Sequence, residues 1–282
     1  MDRFVRAFLV SRQADGVTAS TLEWHQYSLQ SFTKWLDDDH REPETWTPTL
    51  LREYVVHLQG SGLAPSTVTN KVQSLLAFTR WLHEEGFTET NAGARVKKPK
   101  APFIQKQPHS AHELKALLQA SRADLRDHAI IAVLIDTGIR ANELCMLRST
   151  DVLLDQSLMK VHGKGGKDRI LPLSVKCVKV LAKWMSKHRA EYVFPSEQSE
   201  HLTPNSLYKV VQRIGARAGV PNVYCHRFRH SFALHYLRNG GDPLSLQRLL
   251  GHTSLAMTVR YVAMSADDLV DQHARSSPLM NL

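Results

Sequence analysis

The 282-residue sequence is short of the residues that hold small extracellular or metal-stapled folds together. Its three cysteines, Cys145, Cys177 and Cys225, are scattered with no C-x-x-C pair, so neither a disulfide framework nor a thiolate zinc cluster is indicated. Thiols used this sparingly fit a reducing, cytoplasmic setting. No apolar run approaches the roughly 18 residues of a membrane span. The N-terminus, with Asp2, Arg3 and Arg6 around a short apolar stretch, is unlike a signal peptide. A Walker-type G-x-x-x-x-G-K-[ST] is missing, and so are H-E-x-x-H and paired-carboxylate signatures. His226 and His230 do have i, i+4 spacing, but Arg227 stands where a catalytic Glu would be needed. No metal ligand set and no cofactor is called for.

Acidic residues are also in deficit. Lys and Arg total 36 against 27 Asp and Glu, a formal charge of +9, which favours a polyanionic partner. The deficit is sharpest from Asn91 to Ser110, which carries Arg95, Lys97, Lys98, Lys100 and Lys106, three prolines and no acid. This stretch reads as an extended basic linker, with Lys97, Lys98 and Lys100 as candidate phosphate contacts.

What the chain has in plenty is helical periodicity. Phe4, Phe8 and Leu9, then Leu22, Tyr27, Leu29, Phe32 and Leu36, predict two helices broken near Gly16 and restarted after Thr18. Helices are further predicted over Thr49 to Gln59 and Ser66 to Glu85, with Trp24, Trp35 and Trp81 as core residues. Beyond the linker, Ser110-x-x-Glu113 is a capping box opening a helix to Ala120. Asp127 to Thr137 is nearly all apolar and stops at Gly138, as a buried central helix would. Leu158 to Val161 and Arg169 to Leu173 flank Gly163-Lys164-Gly165-Gly166 and predict a β-hairpin. Helices over Val175 to His188 and Pro204 to Ala218 follow. The fold class is mainly α with a small β-hairpin or sheet, an α+β protein. Its expected domains are a four-helix unit at 1–90, a linker at 91–109, a second unit at 110–264 and a tail at 265–282.

The chemistry concentrates in Val223 to Met264. On a helix, His226 and Arg229 are three residues apart and share a face, so an imidazole and a bidentate donor converge on one ligand. Asp242-Pro243 caps a further helix that should end at Gly251, His252 sits just beyond it, and Tyr261 follows nine residues later. Upstream, Arg140 follows Gly138 closely with Glu143 three residues on, an arrangement able to hold a guanidinium in a pocket. The predicted hairpin tip presents Lys164 and Lys167, with Arg169 at the return strand.

The order Arg140 in TGIRANEL, Lys164 in HGKGGKDRILPL, H-x-x-R at His226 and Arg229, L-G-H at His252 and finally Tyr261 resembles the signature of the tyrosine recombinases, the phage-integrase family. The four-helix half with its basic linker resembles that family's core-binding (SAM-like) domain. Together with the catalytic domain, that domain forms a clamp around DNA in the family. Phe228 stands where the family often has Leu. Nothing before the core-binding pattern looks like an additional arm-binding domain, so the resemblance is to the compact Xer or transposon-resolvase kind.

The resemblance implies a site-specific DNA recombinase that cuts and rejoins strands through a 3′-phosphotyrosyl intermediate without a nucleotide. Arg140, Lys164, His226, Arg229, His252 and Tyr261 would be its catalytic residues, and Lys97, Lys98, Lys100, Lys167 and Arg169 would contact DNA. Lys164 is favoured over Lys167 as the proton donor only by resemblance to the family's hairpin, because spacing cannot separate the two. The implied partners are duplex DNA with inverted half-sites, copies of the chain paired on a site and assembled as tetramers through the C-terminal tail, and a possible partner recombinase. Two other readings share much of this chemistry: a type IB topoisomerase-like relaxing enzyme and a non-catalytic DNA-binding accessory protein.

Overall fold

The computed structural model describes residues 1–36, 42–100, 107–163, 166, 168–196, 199–251, 273, 274 and 277. It divides into two compact units, Met1–Gln105 and Lys106–Leu282.

The first unit packs α1 (Asp2–Ala14), α2 (Ala19–Trp35), α3 (Pro48–Gly60) and α4 (Pro65–Glu84) around one core. Proline opens both α3 and α4, where a missing N–H costs nothing. The Thr47 hydroxyl caps α3 by accepting from Leu50 N at 3.1 Å. Along α4, Val68, Val72, Leu75, Phe78 and Leu82 keep the helical spacing and are all buried. Rings fill the centre: Phe32 meets Tyr54 at 4.9 Å and Trp46 at 5.0 Å, and Phe8 meets Phe78 at 5.3 Å. Each such ring contributes about 1.5–3 kcal/mol through burial.

Three expectations need correcting here. Tyr27, counted in the helical apolar pattern, faces out: it is 66% exposed, and the Lys71 ammonium lies 4.4 Å from its ring centroid. Trp24 is half-buried against His25 and is not part of the core cluster. The stretch from Asn91 to Lys100 is not an extended tether. It makes a single 3-10 turn, Ala92–Arg95, and Ala92 and Val96 are buried in the first unit's core. Thr69 Oγ1 donates to Pro99 O at 3.0 Å, Arg52 to Arg95 O at 3.1 Å, and Lys98 Nζ to Gln73 Oε1 at 3.2 Å. Two apolar residues four apart were enough to dock a segment whose charge had suggested a solvated strap.

In the second unit, α6 (Leu125–Thr137) runs through the core with Ala129, Ile130, Ile131, Val133 and Leu134 fully buried. It packs against α8 (Val175–Met185) and α10 (Cys225–Arg238), while α5 (Ala111–Ala120) packs on α9 (Pro204–Ala218). The Ser110–Glu113 capping box forms as read, with Glu113 N to Ser110 Oγ at 3.1 Å and Ser110 N to Glu113 Oε2 at 2.7 Å. Gly138 ends α6 in the left-handed region, at φ 59°. A Cβ there would press on the Phe232 ring, so glycine is required twice over.

Two elements were not read from the sequence. One is α7 (Ala141–Cys145), a five-residue helix directly after the α6 turn. The other is β1 (Val152–Leu153), which joins β2 (Leu158–Val161) and β3 (Arg169–Pro172) in an antiparallel sheet of order β1-β2-β3. Both fall below the length at which periodicity is legible. The register pairs Met159 with Leu171 and Val161 with Arg169. Met159, Val161 and Leu171 face the core and Ile170 faces out, 61% exposed. Finally, α11 (Pro243–Leu250) packs Leu246 and Leu250 against Ala233 and Leu237 of α10.

Candidate active site

Arg140 owes its position to the end of the buried helix. After the turn at Gly138, Ile139 is fully buried and Arg140 becomes the N-cap of α7. Its backbone N–H donates to Glu143 Oε2 at 2.9 Å and its Nη1 to Glu143 Oε1 at 2.7 Å. The residue pair thus closes on itself within one turn. The Arg140 side chain is 41% exposed, whereas that of Glu143 is only 7% exposed.

Glu143 also receives a second arginine. Arg169, at the start of β3, donates Nη1 to Oε1 at 2.8 Å and Nη2 to Oε2 at 2.7 Å, a bidentate fork. Burial alone would raise the Glu143 pKa, but the hydrogen bonds from Arg169 and Arg140 outweigh it and hold the carboxyl down at about 2. One buried carboxylate therefore orders two guanidiniums and leaves the cluster net positive.

On α10, His226 and Arg229 fall in the first turns, as the spacing predicts. Their environments differ: His226 is exposed, while Arg229 is 4% exposed. Arg229 Nη1 donates to Gly138 O at 3.1 Å and Nη2 to Leu250 O at 2.5 Å. It thereby ties the α6 turn that leads into Arg140 to the end of α11.

The end of α11 is where these residues meet. Three successive carbonyls each accept from a different arginine: Leu249 O from Arg169 Nε at 2.7 Å, Leu250 O from Arg229, and Gly251 O from Arg140 Nη2 at 3.1 Å. A helix leaves its last carbonyls without partners and carries partial negative charge there, which suits cations. Here the cations arrive from a turn, a strand and a neighbouring helix. Gly251, at φ 62°, closes α11, and the next residue in the chain is His252.

Of the residues singled out from sequence, Arg140, Arg229 and Arg169 are brought together, and His226 shares the first turns of α10 with Arg229. Lys164, Lys167, His252 and Tyr261 lie outside the described residues. Lys97, Lys98 and Lys100 belong to the first unit and are exposed at its surface. The resemblance places Arg169 among the DNA contacts, but its side chain is 10% exposed and its Nε, Nη1 and Nη2 each donate within the protein, to Leu249 O and Glu143. It is a strut behind Arg140. The signal was legible, because strand alternation puts Arg169 on the face of Leu171, opposite buried Val161. Cys225, the residue before His226, is a poor nucleophile, since burial pushes its thiol up to about 11.

A family model described as the phage integrase family matches residues 109–267, and one described as the phage integrase N-terminal SAM-like domain matches residues 2–86. The chain belongs to the phage integrase family of tyrosine recombinases.

This recombinase is 32% identical over 205 residues to the tyrosine recombinase XerA of Pyrococcus furiosus, which covers 70% of this chain and 71% of that protein. It is 31% identical over 202 residues to XerC of Xanthomonas campestris, covering 69% of this chain and 63% of that one. Among solved structures, a lambda integrase dimer bound to a core site superposes with a TM-score of 0.77 at 19% identity, over 91% of the recombinase and 96% of that chain. That likeness is one of fold. It agrees with the mainly helical architecture, a SAM-like domain followed by a catalytic domain with a small antiparallel sheet.

Proposed function

We propose that the recombinase cuts and rejoins duplex DNA at specific sites through a 3′-phosphotyrosyl link formed by Tyr261. The observation that carries this reading is the comb of three arginines on the carbonyls of residues 249 to 251, with Glu143 behind it. A comb of this kind presents preorganised positive charge beside His226 and immediately before His252 in the chain.

In the proposed reaction the Tyr261 hydroxyl attacks phosphorus and its proton passes to His226. A phenol with an ordinary pKa of about 10 needs such an acceptor at neutral pH. Negative charge building on the non-bridging oxygens is met by Arg140, Arg229 and His252. A guanidinium carries five N–H donors, so a carbonyl can anchor the fork without exhausting it. The leaving 5′ oxygen takes its proton from Lys164, or from Lys167. The covalent link stores the energy of the broken bond, so the reverse steps reseal the strand without a nucleotide. Duplex DNA with inverted half-sites is the substrate, with pairs of protomers on a site, tetramers in synapsis and a cytoplasmic place of action. The tail at 265–282 would join protomers.

The test is a denaturing gel of recombinase incubated with nicked suicide duplexes tiled from the DNA flanking its own gene. Tyr261-dependent adducts at a few positions inside inverted repeats support the reading. Adducts on nearly every duplex would instead mark a relaxing enzyme of the topoisomerase kind, and adducts that persist in Tyr261→Phe would give the nucleophile to another residue.

A further inference from the structure

The hairpin between β2 and β3 is closed at its neck by a histidine with a carboxylate on each ring nitrogen. His162, the residue after β2, places Nδ1 3.0 Å from Asp168 Oδ1 across the hairpin and Nε2 3.3 Å from Asp151 Oδ2. Asp151 lies on the Ser149–Asp151 turn before β1, so the two carboxylates belong to separate segments. Lys160 on β2 completes the group, with Nζ 3.1 Å from Asp168 Oδ2. The exposures are graded: the His162 side chain is 51% exposed, Asp168 39% and Asp151 12%. Asp151 Oδ2 is buried and has no hydrogen-bond partner of good geometry among the described residues, and His162 Nε2 lies 3.3 Å from it. The hydrogen bonds from Lys160 and His162 lower the Asp168 pKa, keeping that carboxylate charged.

The two nitrogens of an imidazole lie on different sides of the ring, so one side chain can bridge groups from two segments. Exposed pairs of this kind contribute little to stability, but this one fixes geometry, since His162 and Asp168 flank the segment that holds Lys164 and Lys167.

We propose that His162 is a positioning residue for strand cleavage: lying between Asp168 and Asp151, it clasps the neck of the β2–β3 hairpin to the Ser149–Asp151 turn and so sets where the hairpin lysine delivers its proton. The inference rests on the reading of Lys164 or Lys167 as general acid. In that step the P–O5′ bond breaks, the oxygen takes a proton from the ammonium, and a neutral amine remains until religation returns the proton.

The experiment compares initial cleavage rates on a suicide duplex carrying an ordinary phosphodiester and on one with a 5′-bridging sulfur, for wild type, His162→Gln, His162→Arg, Asp168→Asn, Lys164→Ala and Lys167→Ala. Sulfur leaves as a thiolate and needs no acid, so the rate ratio isolates proton delivery from attack by Tyr261. His162→Gln and Asp168→Asn are expected to cut the ordinary duplex about tenfold or more slowly and to recover near wild-type rates on the sulfur duplex. His162→Arg, whose guanidinium can donate to both carboxylates, should keep a ratio of oxygen to sulfur rates closer to wild type than His162→Gln. Equal slowing of both duplexes in His162→Gln would overturn the positioning role and leave the lysine acid standing. Lys164→Ala and Lys167→Ala variants that both gain nothing from sulfur would overturn the lysine acid as well.

Discussion

Arg169 and Glu143 form a closed two-bond fork, 2.8 and 2.7 Å, between the first residue of a strand and the first turn of a five-residue helix. The pair is nearly buried on both sides, which makes its two halves unequal to remove. Glu143→Ala leaves two guanidiniums facing an empty acceptor site. An uncompensated buried charge of this sort costs about 3–5 kcal/mol. Urea unfolding should show a loss of that order for Glu143→Ala and a smaller one for the double variant Glu143→Ala/Arg169→Met.

The same carboxylate predicts an acid limb. Its pKa is depressed in the folded state, from 4.5 to about 2. Its contribution is therefore complete above the unfolded value and fades as pH falls through about 4.5 towards about 2. At one pKa unit per 1.36 kcal/mol this amounts to about 3 kcal/mol. The stability gap between wild type and Glu143→Gln, measured by unfolding, should narrow steadily over that window.

His109 predicts the opposite kind of group. It is fully buried against Phe228, with ring centroids 5.0 Å apart, and neither ring nitrogen has a hydrogen bond among the described residues. Burial, followed by the Arg227 charge, lowers its pKa to about 4, and Glu113 opposes that only in part. The unfolded chain takes up a proton near 6.5, so stability declines as pH falls from there to about 4. His109→Leu should remove that decline, raising the melting temperature at pH 5 more than at pH 8.

Arg140 and Arg229 should separate when stability and cleavage are measured together. Arg229 joins Gly138 O to Leu250 O from a buried position, while the Arg140 side chain is 41% exposed. Alanine at either position is expected to reduce strand cleavage about 100 to 1000-fold. Arg229→Ala should also lower the melting temperature by several degrees, more than Arg140→Ala, because it strands the carbonyls of Gly138 and Leu250 from a buried position.

DNA binding should weaken steeply with salt. Replacing Lys97, Lys98 and Lys100 by Ala should flatten the slope of log K against log salt by about 0.9 for each phosphate no longer neutralised. An unchanged slope in filter-binding titrations would remove these lysines from the interface.

The long helices were legible because each repeats its apolar residues over three turns or more, as Val68, Val72, Leu75 and Phe78 do. The capping box at Ser110 and the stops at Gly138 and Gly251 were equally plain, since they depend on local chemistry. What sequence could not show was α7 and β1, too short for a period, and the docking of residues 91 to 100, which hangs on Ala92 and Val96 rather than on composition. At the site, the spacing of His226 and Arg229 predicted a shared face, but not that one would be buried and the other exposed. Acceptors supplied by backbone carbonyls leave no trace in side-chain identity, so the comb at residues 249 to 251 was invisible.

That comb makes the end of α11 a matter of register. Each residue along a helix turns about 100° and advances about 1.5 Å, so inserting or deleting one residue between Asp242 and Leu249 would swing all three carbonyls away from their arginines at once. Side-chain substitutions there can be absorbed one by one. A change of length cannot, because Arg140, Arg169 and Arg229 reach Gly251, Leu249 and Leu250 from three fixed elements.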